Sequence, residues 1–324
     1  MTIQTYWQID PAAQPWRLEP SARRGNSLVT GLRTAGPNRF DYYAQIAQAA
    51  AQTGFEGAFV THRPEADDSR MIAGALSREV PRLGFVAEFP ASVGSAVYAA
   101  KQATTFQRGT HDRFGWAIAP DADAAARARD GDTVPDDQLA ARADEFLTVA
   151  RGVHTQRPFT FQGAHFEVQD GGFEAPLNRA PFPLVFLQGE TEEALDLSAR
   201  HADVHLFRPA TVNALAALVE GLDTLAKQHD RRVAFGLILP MLARETEDEA
   251  AADAASLRAP PGTLVGSYDT VAATLAEYAA LGIEHFVLSA DPALEEAYRI
   301  GQHVLPRLHA HRAIPRRSLK GAAQ

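Results

Sequence analysis

Eight short runs of β-branched, aromatic and aliphatic residues recur along this 324-residue chain, and most precede a long Ala-rich stretch of helical period. The runs are residues 4–9, 57–62, 83–89, 113–119, 184–188, 203–208, 233–239 and 285–289. Parallel strands covered on both faces read as near-continuous apolar runs of this kind. Between them, Tyr43, Ile46, Ala47 and Ala50 fall at i, i+3, i+4 and i+7, as do Leu215, Leu218, Val219 and Leu222. Val271, Leu275 and Tyr278 repeat the pattern before Gly282, which reads as a helix C-terminal glycine. The alternation predicts an α/β fold, a (β/α)8 barrel forming one domain over residues 1–313, with 314–324 as a frayed polar tail. A doubly wound sheet is the competing architecture, but no G-x-G-x-x-G follows a strand.

Three segments interrupt the alternation. Residues 11–37 are rich in Pro, Gly and Arg, an excursion after the first strand; residues 121–137 are acidic, with Gly131 and Pro135 as breakers. Residues 159–170 (FTFQGAHFEVQD) alternate around a Gln-Gly pair and predict a β-hairpin beside the barrel.

Composition narrows the chemistry. Forty acidic against 31 basic residues give a formal charge of −9, which argues against nucleic acid as a partner. The absence of cysteine excludes disulfides, zinc–thiolate sites and thiol nucleophiles. No uninterrupted apolar run approaches the roughly 18 residues of a membrane span. The opening MTIQTYWQID lacks signal-peptide order, so a cytoplasmic location is expected.

A barrel places its active site at the C-terminal ends of its strands. Those ends supply His62, Glu88, Trp116, the run Gln188-Gly189-Glu190-Thr191, His205, Arg208, Ser289 and Asp291. His62 suits general acid/base work, but its plainer reading, a rim histidine bonded within its loop, is the favoured one. Glu88 stands inside the apolar run FVAEFP; it either meets a cation such as Arg208 or marks a pocket. His62, Glu88, His205 and Asp291 could together ligate a divalent metal, but no H-E-x-x-H spacing supports this and no metal is expected. The turn 188–191 could greet an anion at the start of the helix Glu192–His201. Read more simply, Thr191 is an ordinary N-cap and Glu190, Glu192 and Glu193 complement the helix dipole.

The C-terminal stretch LVGSYDTVAATLAEYAALGIEHFVLSADPALEEAYRIGQHVLPRL resembles the luciferase-like flavin-dependent monooxygenases, in their alkanesulfonate monooxygenase branch. FDYYAQIAQAAAQTGFEGAFV, RADEFLTVARGV, PFTFQGAHFEV, PLVFLQGETEEALDLSARHADVHL and VAFGLILPMLARETEDEA fit the same branch in the same order. The resemblance implies a (β/α)8 barrel, a homodimer or homotetramer, reduced FMN delivered by a separate NAD(P)H:FMN reductase, and oxygenation of an alkanesulfonate or similar small organic substrate. Under that reading the strand-end residues His62, His205, Arg208 and Asp291 are the catalytic candidates, and Glu88, Trp116, Gln188, Gly189 and Thr191 the candidates for flavin contact.

Several positions depart from the branch. Where it keeps a histidine, a cysteine, an Asn, a Thr and a phosphate-binding Tyr, this chain has Ala12, Ala66, Ala117, Pro120 and Ala140. Its Gly-Gly-Ser-Ser phosphate loop is here Gln188, Gly189, Glu190 and Thr191. Its strand motif G-I-R-L-H gives Ile238 and Pro240 in place of the arginine and histidine, and its S-G-Y-P-H motif gives Asp291 and Ala293 in place of the tyrosine and histidine. Residues 250–263 alone span its long mobile insertion. A second expectation therefore stands beside the monooxygenase: a flavin-free, inactive barrel that binds a small molecule or serves as partner subunit. A third is a flavin-free barrel enzyme using Glu88, His62 and Asp291 in acid/base or metal chemistry.

Overall fold

Parallel strand pairing closes on itself through eight strands in the computed structural model, which describes residues 2–14, 39–119 and 123–313. In barrel order these are β1 (Gln4–Ile9), β2 (Gly57–Val60), β3 (Gly84–Phe89), β4 (Phe114–Ile118), β7 (Leu184–Gln188), β8 (Val204–Phe207), β9 (Ala234–Arg244) and β11 (Ile283–Ser289), which returns to β1. The predicted (β/α)8 barrel is observed, and all eight predicted strands are present. The 11–37 excursion falls mostly outside the described residues, as do Pro120, Asp121 and the tail 314–324.

Helices α1 (Arg39–Gln52), α2 (Ser69–Glu79), α3 (Ala96–Thr110), α4 (Ala124–Arg129), α5 (Leu139–Thr155), α6 (Glu192–His201), α7 (Val212–Gln228), α8 (Glu247–Leu257), α9 (Tyr268–Ala280), α10 (Ala293–Arg299) and α11 (Leu305–Ala313) link the strands. The periodic residues Tyr43, Ile46, Ala47 and Ala50 are all buried against the sheet. Helix α9 ends at the predicted glycine, Gly282 at φ +101°, a conformation Gly adopts without steric cost.

The hairpin is also observed, as β5 (Phe159–Gln162) and β6 (Glu167–Gly171). The carboxylate of Glu145 on α5 fastens its turn, accepting the N–H groups of Ala164, His165 and Phe166 at 2.8, 2.7 and 3.0 Å.

One strand escaped the sequence reading. β10 (Leu264–Ser267) pairs parallel with Met241–Arg244, the part of β9 that runs beyond the barrel. Much of the residue 250–263 stretch is α8, capped by a box between Thr246 and Glu249.

Alternation along the strands divides the interior in two. Outward residues such as Trp7, Phe85, Trp116 and Leu237 join the helix-facing core. Tyr6, Phe59, Val86, Ala117, Phe186, Val204, Leu206 and Val287 fill the barrel itself. The Tyr6 ring lies against Gly57, where a Cβ would come within 2.5 Å of it, so the barrel floor is closed by an aromatic ring. Its hydroxyl meets His285 Nδ1 at 3.3 Å. A packed floor leaves the C-terminal end of the barrel as the open one.

Candidate functional site

Glu88 faces the barrel interior near that open end. Its Oε1 accepts from Gln188 Nε2 at 2.6 Å and its Oε2 from the His62 backbone N–H at 2.8 Å. Strands β3 and β7 are not neighbours in the sheet, so the Glu88–Gln188 bond crosses the interior. Glu88 is 7 % exposed. Burial pushes its carboxyl above the usual range, while the two hydrogen bonds and the nearby Arg63 charge pull it back.

The rim carries a second polar group. Asp10, directly after β1, receives Arg63 Nε at 3.1 Å on both oxygens and Arg63 Nη2 at 2.6 Å on Oδ2. Gln14 bridges two elements: it accepts from the Tyr42 hydroxyl of α1 and donates to Asp291 Oδ1 after β11. These groups border a cleft of about 450 Å³ whose lining includes Gln8, Asp10, Arg63, Pro240, Arg258, Ser289 and Asp291. Glu296 of α10, also in the lining, is 1 % exposed. Arg244 Nη1 sits 3.1 Å from it, with Arg244 Nε 2.5 Å from Asp253 of α8. A buried carboxylate held by arginine thus ties α10 to the end of β9 and to α8.

Of the residues predicted for the site, Glu88 and Gln188 meet inside the barrel mouth, His62 joins them through its main chain, and Asp291 lies in the cleft. The His62 ring is half-buried, and burial lowers its pKa against the pull of Asp130 and Asp68. Gly189, at φ +126°, and Thr191 form the turn from β7 into α6; the Thr191 hydroxyl accepts from Ala194 N–H at 3.2 Å as the helix N-cap.

Three expectations are corrected. His205 does not reach the mouth: it points into the helix layer, fully buried, its Nδ1 2.8 Å from Ser198 Oγ of α6. Trp116 likewise packs outward against Phe89, Phe146 and Phe182. Each alternates along its strand with residues that face inward, Ala117 beside Trp116 and Val204 and Leu206 on either side of His205. Glu88 does not pair with Arg208, which is exposed, because Gln188 and the His62 amide already satisfy it. With His205 turned away, the four candidate metal ligands do not converge, and no group of three His, Asp or Glu suited to a metal occurs among the described residues.

The sequence reading missed Asp10, Gln14, Arg63 and Glu296. Asp10 was accessible to the same strand-end rule, being the first residue after β1. Gln14 and Glu296 carry no local signal, since tertiary packing alone brings them to the cleft.

No described helix is long and apolar enough to cross a membrane. Solved structures share the whole architecture. A riboflavin lyase, solved with modified FMN and riboflavin, superposes at TM-score 0.80 with 16 % identity, over 97 % of this chain and 93 % of that one. A long-chain alkane monooxygenase superposes at 0.79 with 15 % identity, over 99 % and 94 %. The EDTA monooxygenase of Chelativorans sp. BNC1 superposes at 0.76 with 18 % identity, over 85 % and 88 %. At such identities the likeness speaks to the fold. Membership rests on sequence: the profile of the luciferase-like monooxygenases matches residues 22–262, most of the chain, and this protein belongs to that family.

Proposed function

We propose that this chain is a flavin-dependent monooxygenase that oxidises a small organic molecule in the cleft at the barrel mouth. The observation that carries the reading is the cleft itself, about 450 Å³, a size for one small ligand, walled by residues at the C-terminal ends of β1, β9 and β11. Its lining mixes apolar and uncharged residues, among them Ile46, Pro240, Met241, Gln8 and Ser289, which suit a flavin ring, with the charged Asp10, Arg63, Arg258 and Asp291. The turn 188–191 does not fit the flavin phosphate: its one hydroxyl caps α6, and Glu190, Glu192 and Glu193 surround the helix start.

A bound reduced flavin supplies the electrons that activate O2. The chain's own residues do the rest. Glu88, held between strands, orients the Gln188 amide and the His62 main chain at the mouth. His62, uncharged near neutrality because burial lowers its pKa, can accept a proton from substrate. Asp10 neutralises Arg63, which leaves Arg258, exposed and lining the cleft, as the cation for an alkanesulfonate. A separate NAD(P)H:FMN reductase delivers the flavin, and the chain works as a homodimer or homotetramer.

The test combines flavin titration with turnover. Purified protein perturbs the spectrum of reduced and oxidised flavin, and with an alkanesulfonate panel and O2 releases sulfite; Arg258→Ala raises KM for these anions about tenfold, the worth of one charge-assisted hydrogen bond. No flavin perturbation at any concentration refutes the reading. The acidic start of α6 favours one second reading, a flavin-free barrel that binds a small molecule or serves as a partner subunit.

A further inference from the structure

We infer that the barrel mouth takes a flavin without gripping a 5′-phosphate, so that the unphosphorylated flavin binds at least as tightly as FMN. The inference rests on the flavin reading above and specifies which flavin that site accepts.

Four features of the β7–α6 turn carry it. A phosphate at a helix start needs free N–H groups, hydroxyls or cations around it. Here the Thr191 hydroxyl oxygen accepts from the Ala194 N–H at 3.2 Å, which takes one N–H donor away from an anion and fixes the hydroxyl at the helix start. Gly189 folds back on the helix so closely that a Cβ would sit 2.7 Å from Ala194 Cβ, leaving little room above the first turn. Glu190, Glu192 and Glu193 are exposed and stand in no ion pair among the described residues, so their charges face any incoming dianion. The carboxylates already complement the helix dipole that would otherwise favour an anion.

Arg258, the exposed cation of the cleft, follows α8 on the β9–β10 side and does not belong to this turn, and the other cations do not offset the carboxylates. Arg63 is committed to Asp10, and Arg200, at the far end of α6, to Asp144 and Asp196. Arg208 follows the neighbouring strand β8, one exposed cation beside three carboxylates. The chain as a whole, at −9, repels a dianion further. By contrast the cleft offers Gln8 and Ser289, uncharged groups suited to the hydroxyls of a ribityl chain.

The experiment titrates the full-length protein with riboflavin and with FMN by quenching of flavin fluorescence, at low and high salt. Riboflavin is expected to bind with a Kd equal to or below that of FMN, and the gap closes at high salt as the repulsion is screened. In the double variant Glu190→Ser/Glu193→Ser, which keeps the Thr191 cap, FMN tightens about tenfold and riboflavin stays within about twofold. FMN binding ten times or more tighter than riboflavin to the unaltered protein overturns the inference alone. So does a double variant in which both ligands shift equally. Failure of both flavins to bind overturns the flavin reading itself, and the inference with it.

Discussion

Mild acid should unfold this barrel through two buried imidazoles. His205 and His285 are 0 % and 8 % exposed, and burial lowers each to about 4 from an ordinary 6.5. His205 Nε2 has no hydrogen-bond partner among the described residues, and His285 Nδ1 faces the Tyr6 hydroxyl, which burial keeps protonated. Neither ring has an anion beside it to welcome a proton. Between the folded and unfolded values the unfolded chain binds more protons, so stability is complete above pH 6.5 and is lost as pH falls towards 4. Integrated from about pH 7.5 to about pH 5, the loss is ~2 kcal/mol per ring and ~4 kcal/mol for both. Glu88 and Glu296, raised by burial, protonate first in the folded state and oppose this trend, so the comparison must be differential. Urea unfolding followed by fluorescence of the buried Trp7 and Trp116, on the unaltered chain and on His205→Gln, isolates one ring. The variant should lose about 2 kcal/mol less between the two pH values. Equal losses would refute the assignment of the acid sensitivity to buried neutral histidine.

Asp132, whose side chain is 6 % exposed, lies 2.7 Å from Arg142 Nη1 and 3.9 Å from Arg127 Nε. Asp132→Asn removes the carboxylate that faces Arg142, while Arg127 keeps its pair with Asp136, and should cost about 3 kcal/mol in urea unfolding. Gly57→Ala drives a methyl group into the Tyr6 ring and should cost about 1–3 kcal/mol, read from the same curves. Asp10→Asn, at a solvent-exposed pair, should change stability by less than about 1 kcal/mol. The same change frees Arg63, so KM for an anionic substrate should fall in steady-state kinetics while KM for a neutral one stays put. Glu145→Gln, which weakens acceptance of three backbone N–H groups, should raise amide exchange at Ala164, His165 and Phe166 without altering exchange in the barrel strands.

The barrel was legible because burial on both faces forces long apolar runs, and such runs stand out against Ala-rich helices. β10 was not legible for the same reason: Leu264–Ser267 is short, carries Gly266 and Ser267, and pairs with only one strand. Of the strand-end residues, Glu88, Gln188 and Asp291 lie at the barrel mouth, while His205 and Trp116 face the helix layer. Chemistry-bearing residue types drew attention there, but side-chain parity decides which face they occupy. The partner of Glu88 was misjudged too. Charge pairing suggested an arginine, whereas the fold supplied an amide and a main-chain N–H across the barrel.

β9 runs for eleven residues, and its last four leave the closed barrel to pair with β10. That extension makes one wall of the cleft from sheet rather than loop. A loop wall can swing on two hinges; this one can retreat only by breaking the ladder that joins Met241–Arg244 to Leu264–Ser267. Ligand entry must therefore be arranged elsewhere on the rim, and the wall keeps its shape whether or not the cleft is filled. A molecule that presses on this side of the mouth meets paired sheet and not a loop.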